Sequence, residues 1–279
     1  MAGCNSLVMG FDASWGKELR TVTSAATVRV ETELAPPLAR VRLVNPPLNV
    51  IDLSLAASLT TILSNLETRS EISVILFEGT PRAFSAGVDI KAHLPEHIHE
   101  MLTSFHVVIR AIVASRKITI AAVQGACLGG GAELAAVCDM VYTARDATWG
   151  FPEIKLGCFP PVAAVALAAL VGQKRAAELI LTGREISGDE AVAIGLANHS
   201  ARAEELDALV QQSLAELQQL SPAALSHAKK AVYAWDAIHF DKGLARAEKI
   251  YLEELASTED AREGIMAFLE KRPPKWTGK

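Results

Sequence analysis

Apolar and polar positions change their period several times along the chain, and each change marks an element. Residues 26–31 (ATVRVE) alternate as a half-buried strand does, and 38–44 (LARVRLV) repeat the pattern. Ala35-Pro36-Pro37 between them predicts a hairpin, and Asn45-Pro46-Pro47-Leu48-Asn49 after them a rigid turn. Asp52 is a good N-cap for a helix over 53–67, whose apolar stripe is Leu55, Leu59, Ile62, Leu63 and Leu66. Residues 73–77 (SVILF) predict a buried strand that runs into a loop over 78–89. A helix over about 96–115 is followed by a β-branched run, 118–123, that reads as another buried strand. Next come a turn at Gln124-Gly125, three glycines (Gly129, Gly130, Gly131), a helix-forming segment and a short strand over 140–143. A turn then leads to Gly150-Phe151-Pro152-Glu153. Residues 162–171 are apolar all round, which predicts a buried helix; 173–181 form a further helix closed by Gly183. Ser187 caps a helix over 188–194 that Gly195 ends. From 204 onward only helices are predicted: 204–219, 222–235 with Pro222 in the first turn, about 239–256, and 259–271.

That order predicts an α/β (α+β) chain of ββα units followed by an all-helical region. It divides into an extension over 1–24 outside the fold, a core over 25–203 that holds the site, and a helical region over 204–279. The apolar stripes of the last part need a surface to cover, either the chain's own core or a neighbouring subunit. Half of the residues are hydrophobic, enough for a sizeable core. A net charge of -5 disfavours nucleic acid, which needs a basic footprint. No apolar run is long enough to span a membrane, and the N-terminus lacks the pattern of a signal peptide. The four cysteines (Cys4, Cys127, Cys138, Cys158) have no metal-like spacing and point to no disulfide, so a cytoplasmic location is expected.

The chemistry concentrates between Ile118 and Glu153. Consecutive glycines before a helix let a ligand approach the backbone and present free N–H groups at the positive end of the helix. That suits a phosphate, or an oxyanion developing on a carbonyl; tight helix–strand packing is the alternative. No Lys-Ser/Thr follows, so this is no P-loop. Glu133 lies in an otherwise apolar helix: it is either solvated, the ordinary case for a lone glutamate, or buried, and burial raises a carboxyl pKa towards neutrality, where it can take and give protons. Glu153, in a Gly/Pro-flanked loop, could face it across a substrate. A second N–H donor is sought in Ser85-Ala86-Gly87, after the SVILF strand.

Three segments together are highly specific: AAVQGACLGGGAELAAVCDMVYTARDATWGFPEIKLG, AFSAGVDI and LTGREISGDEAVAIGL. They closely resemble the crotonase (enoyl-CoA hydratase/isomerase) family, and the resemblance runs over about residues 25–279. It implies a spiral of ββα turns and a C-terminal helical region that builds homotrimers, commonly paired into hexamers. It also implies an acyl-coenzyme A thioester as substrate, with no cofactor and no metal. Carried over by position, Glu133 and Glu153 would be the catalytic glutamates, the first activating water for attack at the β-carbon and the second protonating the α-carbon, or the two sharing these roles. Ala86 and Gly130 N–H would form the oxyanion hole, and Ala86, Gly87, Val88 and Asp89 would lie along the coenzyme A. Trp149, Phe151, Phe159 and Pro160 would wall the acyl pocket, with core packing as the alternative for the first two. Where the common family pattern is glycine-rich, this chain has Cys158-Phe159-Pro160-Pro161-Val162, a stiffer wall. That stretch, AHLPEHIHEMLTSFH and the end IYLEELASTEDAREGIMAFLEKRPPKW look like the cyclohexa-1,5-diene-1-carbonyl-CoA hydratase subgroup, whose product would be a 6-hydroxycyclohex-1-ene-1-carbonyl-CoA; another cyclic or branched enoyl-CoA would also suit such a wall. His93, His97, His99 and His106 read as a solvated or lid segment beside the acyl pocket.

Overall fold

The computed structural model describes residues 29–233 and 237–278. The expected extension over 1–24 lies outside them. The first hairpin is β1 (Val30–Ala35) with β2 (Leu38–Leu43), paired antiparallel from Val30↔Leu43 to Ala35↔Leu38. The strand expected over 26–31 therefore sits later in the chain. The two-residue Pro36-Pro37 connection sets the register, so the strand's partner, not its alternation, decides where it lies. Residues 26–28 of that expectation fall outside the described residues.

After α1 (Leu53–Thr68), the chain repeats one unit three times. A long strand enters the main sheet, a three-residue strand enters a second sheet, and a helical segment returns. The units are β3 (Val74–Glu78), β4 (Ala83–Ser85) and α2 (Ile98–Ala114); β5 (Ile118–Val123), β6 (Ala126–Leu128) and α3 (Gly130–Ala136); then β7 (Met140–Ala144), β8 (Thr148–Gly150) and α4 (Pro161–Val171). α5 (Gln173–Thr182), β9 (Glu185–Ser187), α6 (Gly188–Ala193) and β10 (His199–Ala201) close the spiral. The main sheet has the order β1-β2-β3-β5-β7-β10 and is parallel from β2 onward; the second has the order β4-β6-β8-β9, with β4, β6 and β8 parallel. β3 and β5 are buried almost throughout, as continuous apolar runs in a parallel sheet should be.

The tail comprises α7 (Leu206–Gln218), α8 (Pro222–Val232), α9 (Ala237–Lys249), a π-helical turn (Ile250–Leu255) and α10 (Glu259–Leu269). α4 is not buried all round: Val162, Ala163, Leu167 and Val171 face the core, whereas Leu170 is exposed. A smaller apolar cluster joins Ile98, Met101 and Leu102 of α2 to Cys158, Tyr251 and Ile265. It anchors the end of the tail over the second sheet's strand ends. No helix among the described residues is long and apolar enough to cross a membrane.

Candidate active site

Three adjacent parallel strands of the second sheet end side by side, and each is followed at once by a functional segment. β4 runs into Ala86-Gly87-Val88-Asp89, β6 into Gly129 and α3, and β8 into a 3-10 turn, Pro152–Leu156, that carries Glu153. Carboxyl ends of adjacent parallel strands are where α/β folds place ligands. The first two segments touch. A Cβ on Gly87, whose φ is +100°, would lie 2.9 Å from the Leu128 carbonyl oxygen and 3.4 Å from the Gly130 nitrogen, so only glycine fits.

Glu133 and Glu153 are both buried and line one cavity. Glu133 Oε1 accepts the Ala163 N–H at 2.9 Å. Pro161 begins α4 and has no N–H, so the first N–H groups of that helix belong to Val162 and Ala163, and these meet Glu133. Burial raises the Glu133 carboxyl to about 7, and those two N–H groups hold it from going further. Glu153 is pushed well above the ordinary carboxylate range, first by burial and then by the charge of Glu133. Its Oε2 has no hydrogen-bond partner. Room for its Oε1 comes from Gly129, where a Cβ would lie 2.6 Å away. At neutral pH the pair therefore offers one carboxyl that holds its proton and one poised to lose it.

The N–H donors differ from expectation. Ala86 N–H is already committed to the Leu48 carbonyl, at 2.9 Å. The 45–50 turn is fastened onto β4 by Asn49 Nδ2, which donates to Ala83 and Phe84 carbonyls, and by Ser85 Oγ, which donates to the Asn49 carbonyl. That docking consumes the Ala86 donor. Gly87 N–H reaches Ser85 Oγ at 3.2 Å. Val88 N–H meets no acceptor among the described residues, and Gly130 N–H opens α3, where no intrahelical acceptor exists. The two segments are packed so closely that a Cβ on Gly130 would lie 2.7 Å from Val88 Cγ2.

Residues 35–279 match a family described as enoyl-CoA hydratase/isomerase. The chain belongs to this family. It is 34% identical over 253 residues, 91% of this chain and 98% of the relative, to the cyclohexa-1,5-dienecarbonyl-CoA hydratase of Thauera aromatica. It is 35% identical, over 84% of its length and 93% of the relative's, to a probable enoyl-CoA hydratase of Bacillus subtilis. A solved enoyl-CoA hydratase from Mycobacterium avium subsp. paratuberculosis superposes with a TM-score of 0.81 at 27% identity, over 90% of this chain and 99% of that one. The spiral expected from the resemblance is thus the fold, and the chain is an enzyme of the enoyl-CoA hydratase type.

The cavity has two of the four wall residues that the resemblance implies. Phe159 and Pro160 line it, with Pro161. Trp149 and Phe151 do not: both are buried in the main core, and Trp149 Nε1 donates to Thr143 Oγ1 at 3.0 Å. On β8 the Trp149 side chain points to the sheet face that packs into the main core. Ala86, Gly87 and Val88 line the cavity. Asp89 caps the following 3-10 turn through the Lys91 N–H and borders a separate groove with Asp52, Lys91 and His97, which Val88 shares. His106, expected in a solvated segment, is fully buried; its neighbours Leu102, Phe105 and Ile109 on α2 carry the apolar stripe that would have shown this. Tyr251, from the tail, also lines the cavity and carries no local signal in the sequence.

Proposed function

We propose that the chain adds water to the conjugated double bond of an acyl-CoA thioester, with a ring-shaped diene, cyclohexa-1,5-diene-1-carbonyl-CoA, as the preferred acyl group. The observation that carries the hydration chemistry is the buried pair Glu133 and Glu153, of differing acidity, in one cavity beside two unpaired N–H groups. The thioester oxygen accepts from Val88 N–H and Gly130 N–H, which replaces the expected use of Ala86. Glu133, ionised, takes a proton from water as its oxygen bonds to the β-carbon. The π electrons move to the thioester oxygen, and the enolate is held by the two N–H groups. Glu153 returns a proton to carbon, and exchange with solvent water resets the pair. For the diene, the enolate extends over the second double bond. A product that keeps its double bond conjugated with the thioester then takes the proton at the far end of that system. The reaction as written uses no cofactor beyond the substrate's coenzyme A.

The ring diene is supported by the Phe159-Pro160-Pro161 wall and by the Thauera aromatica relative, which matches nearly end to end. An open-chain enoyl-CoA is the second reading, supported by similar identity to the Bacillus subtilis relative. Kinetics on crotonyl-CoA and cyclohexa-1,5-diene-1-carbonyl-CoA, followed by absorbance and product mass, separate them. The diene should show at least tenfold higher kcat/KM; turnover of crotonyl-CoA alone sinks the diene assignment. A homo-oligomer belongs to the same proposal, and exposed Leu181, Val232, Phe268 and Trp276 support it. Light scattering that gives a monomer at micromolar concentration would remove that part.

A further inference from the structure

Among the described residues, three buried side-chain polar atoms have no hydrogen-bond partner: Glu153 Oε2, His106 Nε2 and the Tyr251 hydroxyl. All three residues line the acyl cavity. The hydration chemistry accounts for the first and leaves the other two unused. An unpartnered buried polar group is costly, so two more in one cavity call for a ligand that satisfies them.

Their chemistry is complementary. His106, fully buried on α2, places Nδ1 2.6 Å from Glu248 Oε1. A carboxylate only accepts, so Nδ1 carries the proton, and Nε2 of the neutral ring is left as an acceptor. Arg110 Nη2 donates to the same Glu248 oxygen at 2.8 Å. Burial holds the His106 pKa below the usual histidine range against the pull of Glu248, which keeps the ring neutral. Tyr251 stands three residues after Glu248, in the π-helical turn that follows α9, and its ring packs tilted against Phe159 at 5.2 Å. Its hydroxyl has no partner within hydrogen-bond geometry; the buried Cys158 thiol is its polar neighbour, a weak acceptor that leaves the hydroxyl available to a stronger one. One side chain accepts and the other donates, and no lysine or arginine lines the cavity. A carboxylate would find only Glu133 and Glu153 as charged neighbours there. A hydroxyl group gives a hydrogen to one side chain and takes one from the other.

We propose that His106 Nε2 and the Tyr251 hydroxyl form a hydroxyl-recognition subsite in the acyl cavity, so that the enzyme binds acyl-CoA thioesters whose acyl group carries a hydroxyl. This rests on the acyl-CoA reading above and deepens it. Glu248 is the positioning residue that fixes the histidine tautomer. The hydroxyl has two possible sources: the one that hydration itself creates on the β-carbon, or one already present elsewhere on the incoming acyl group.

Calorimetry with three saturated ligands tests this independently of turnover: cyclohexane-1-carbonyl-CoA, its 2-hydroxy and its 4-hydroxy derivatives. Glu133→Gln serves as the common background, which prevents dehydration of the 2-hydroxy compound. A hydroxylated ligand should bind about tenfold tighter than the parent or better. Preference for the 2-hydroxy compound assigns the subsite to the product hydroxyl, and preference for the 4-hydroxy compound to a hydroxyl brought by the substrate. Tyr251→Phe, a change of one oxygen atom, should bring the ratio below about threefold. Glu248→Ala should do the same, whereas Glu248→Gln, whose amide oxygen still accepts from Nδ1, should restore the preference. Equal binding of all three ligands, or a preference that survives Tyr251→Phe, overturns the subsite and leaves the acyl-CoA reading standing. Failure of all three to bind overturns both. Tight, hydroxyl-selective binding with no turnover of any enoyl-CoA by the unsubstituted enzyme overturns only the hydratase reading.

Discussion

Ala163 N–H points at Glu133 Oε1 from 2.9 Å away, so a helix start in the third unit of the spiral sets the acidity of a carboxyl carried by the second. Without that contact the same burial would drive Glu133 further from ionisation. With it, the group stands near 7. Hydration by the wild-type enzyme should therefore gain kcat/KM as pH rises through about 7, where Glu133 loses its proton, and decline once Glu153 also ionises. A pH–rate profile on a conjugated enoyl-CoA checks this. A rate that falls steadily from pH 6 to 8 contradicts the base role of Glu133.

Removing either acid/base group should cost far more than a packing change. Glu133→Gln and Glu153→Gln keep shape, and the first keeps the possibility of the Ala163 contact, but both lose the acid/base group. Each should lower kcat by on the order of a hundredfold or more with little change in coenzyme A thioester affinity. Near-wild-type turnover in either variant rules out the two-glutamate mechanism.

The same two carboxyls burden the fold. A raised folded pKa means that the folded protein holds the proton more tightly than the unfolded chain. That stabilisation is complete below the ordinary value of 4.5 and is lost as pH rises through about 7 for Glu133. Glu133→Gln removes the dependence. Relative to wild type it should be more stable at pH 8 than at pH 4.5 by up to about 3 kcal/mol, read as a higher Tm at the alkaline end. A stability difference that is flat with pH would show that Glu133 is not held in this environment.

Gly129 and Gly130 should be intolerant of a single methyl group. In Gly129→Ala the new Cβ falls 2.6 Å from Glu153 Oε1, at a φ of +51°, and in Gly130→Ala it falls 2.7 Å from Val88 Cγ2. Both should fold, judged by circular dichroism, and lose activity by about a hundredfold, because each displaces a group of the site. Full activity in Gly130→Ala would argue against Val88 and Gly130 as paired donors.

Trp149→Phe separates core from pocket. Its Nε1–H to Thr143 Oγ1 is a buried hydrogen bond remote from the cavity wall. The substitution should cost about 1–3 kcal/mol of stability and leave KM within twofold. A KM that rises tenfold with unchanged stability would return Trp149 to the acyl pocket.

The glycines and both glutamates were readable because each breaks its local pattern: small residues at a strand-to-helix junction, a carboxyl in an apolar helix. The second sheet was not readable, since β4, β6 and β8 have three residues each and show no period. Yet those strands are what bring the three functional segments together. The Ala86 assignment failed for a related reason. Whether its N–H is free depends on the Leu48 carbonyl, far away in sequence and brought close only when the 45–50 turn docks. Phe159 and Pro160, a few residues beyond Glu153, do line the cavity. Trp149 and Phe151 sit equally near in sequence but face the core, and nearness does not encode direction. Tyr251 reaches the cavity, and Glu248 reaches His106, only through the packing of α9 and its π-helical turn.

That packing has a bearing on how the enzyme could be regulated or damaged. A tail segment closes one side of the cavity: Tyr251 lines it, and Ile265 packs in one apolar cluster with Tyr251 and α2. A chain clipped before α9 would keep both glutamates and both N–H donors. It would admit bulk solvent, and the dielectric screening that returned would let Glu133 and Glu153 fall back towards ordinary acidity. The π-helical turn and α10 thus act as a stopper on the reaction vessel, and the acid strength inside is a property of the seal as much as of the acids.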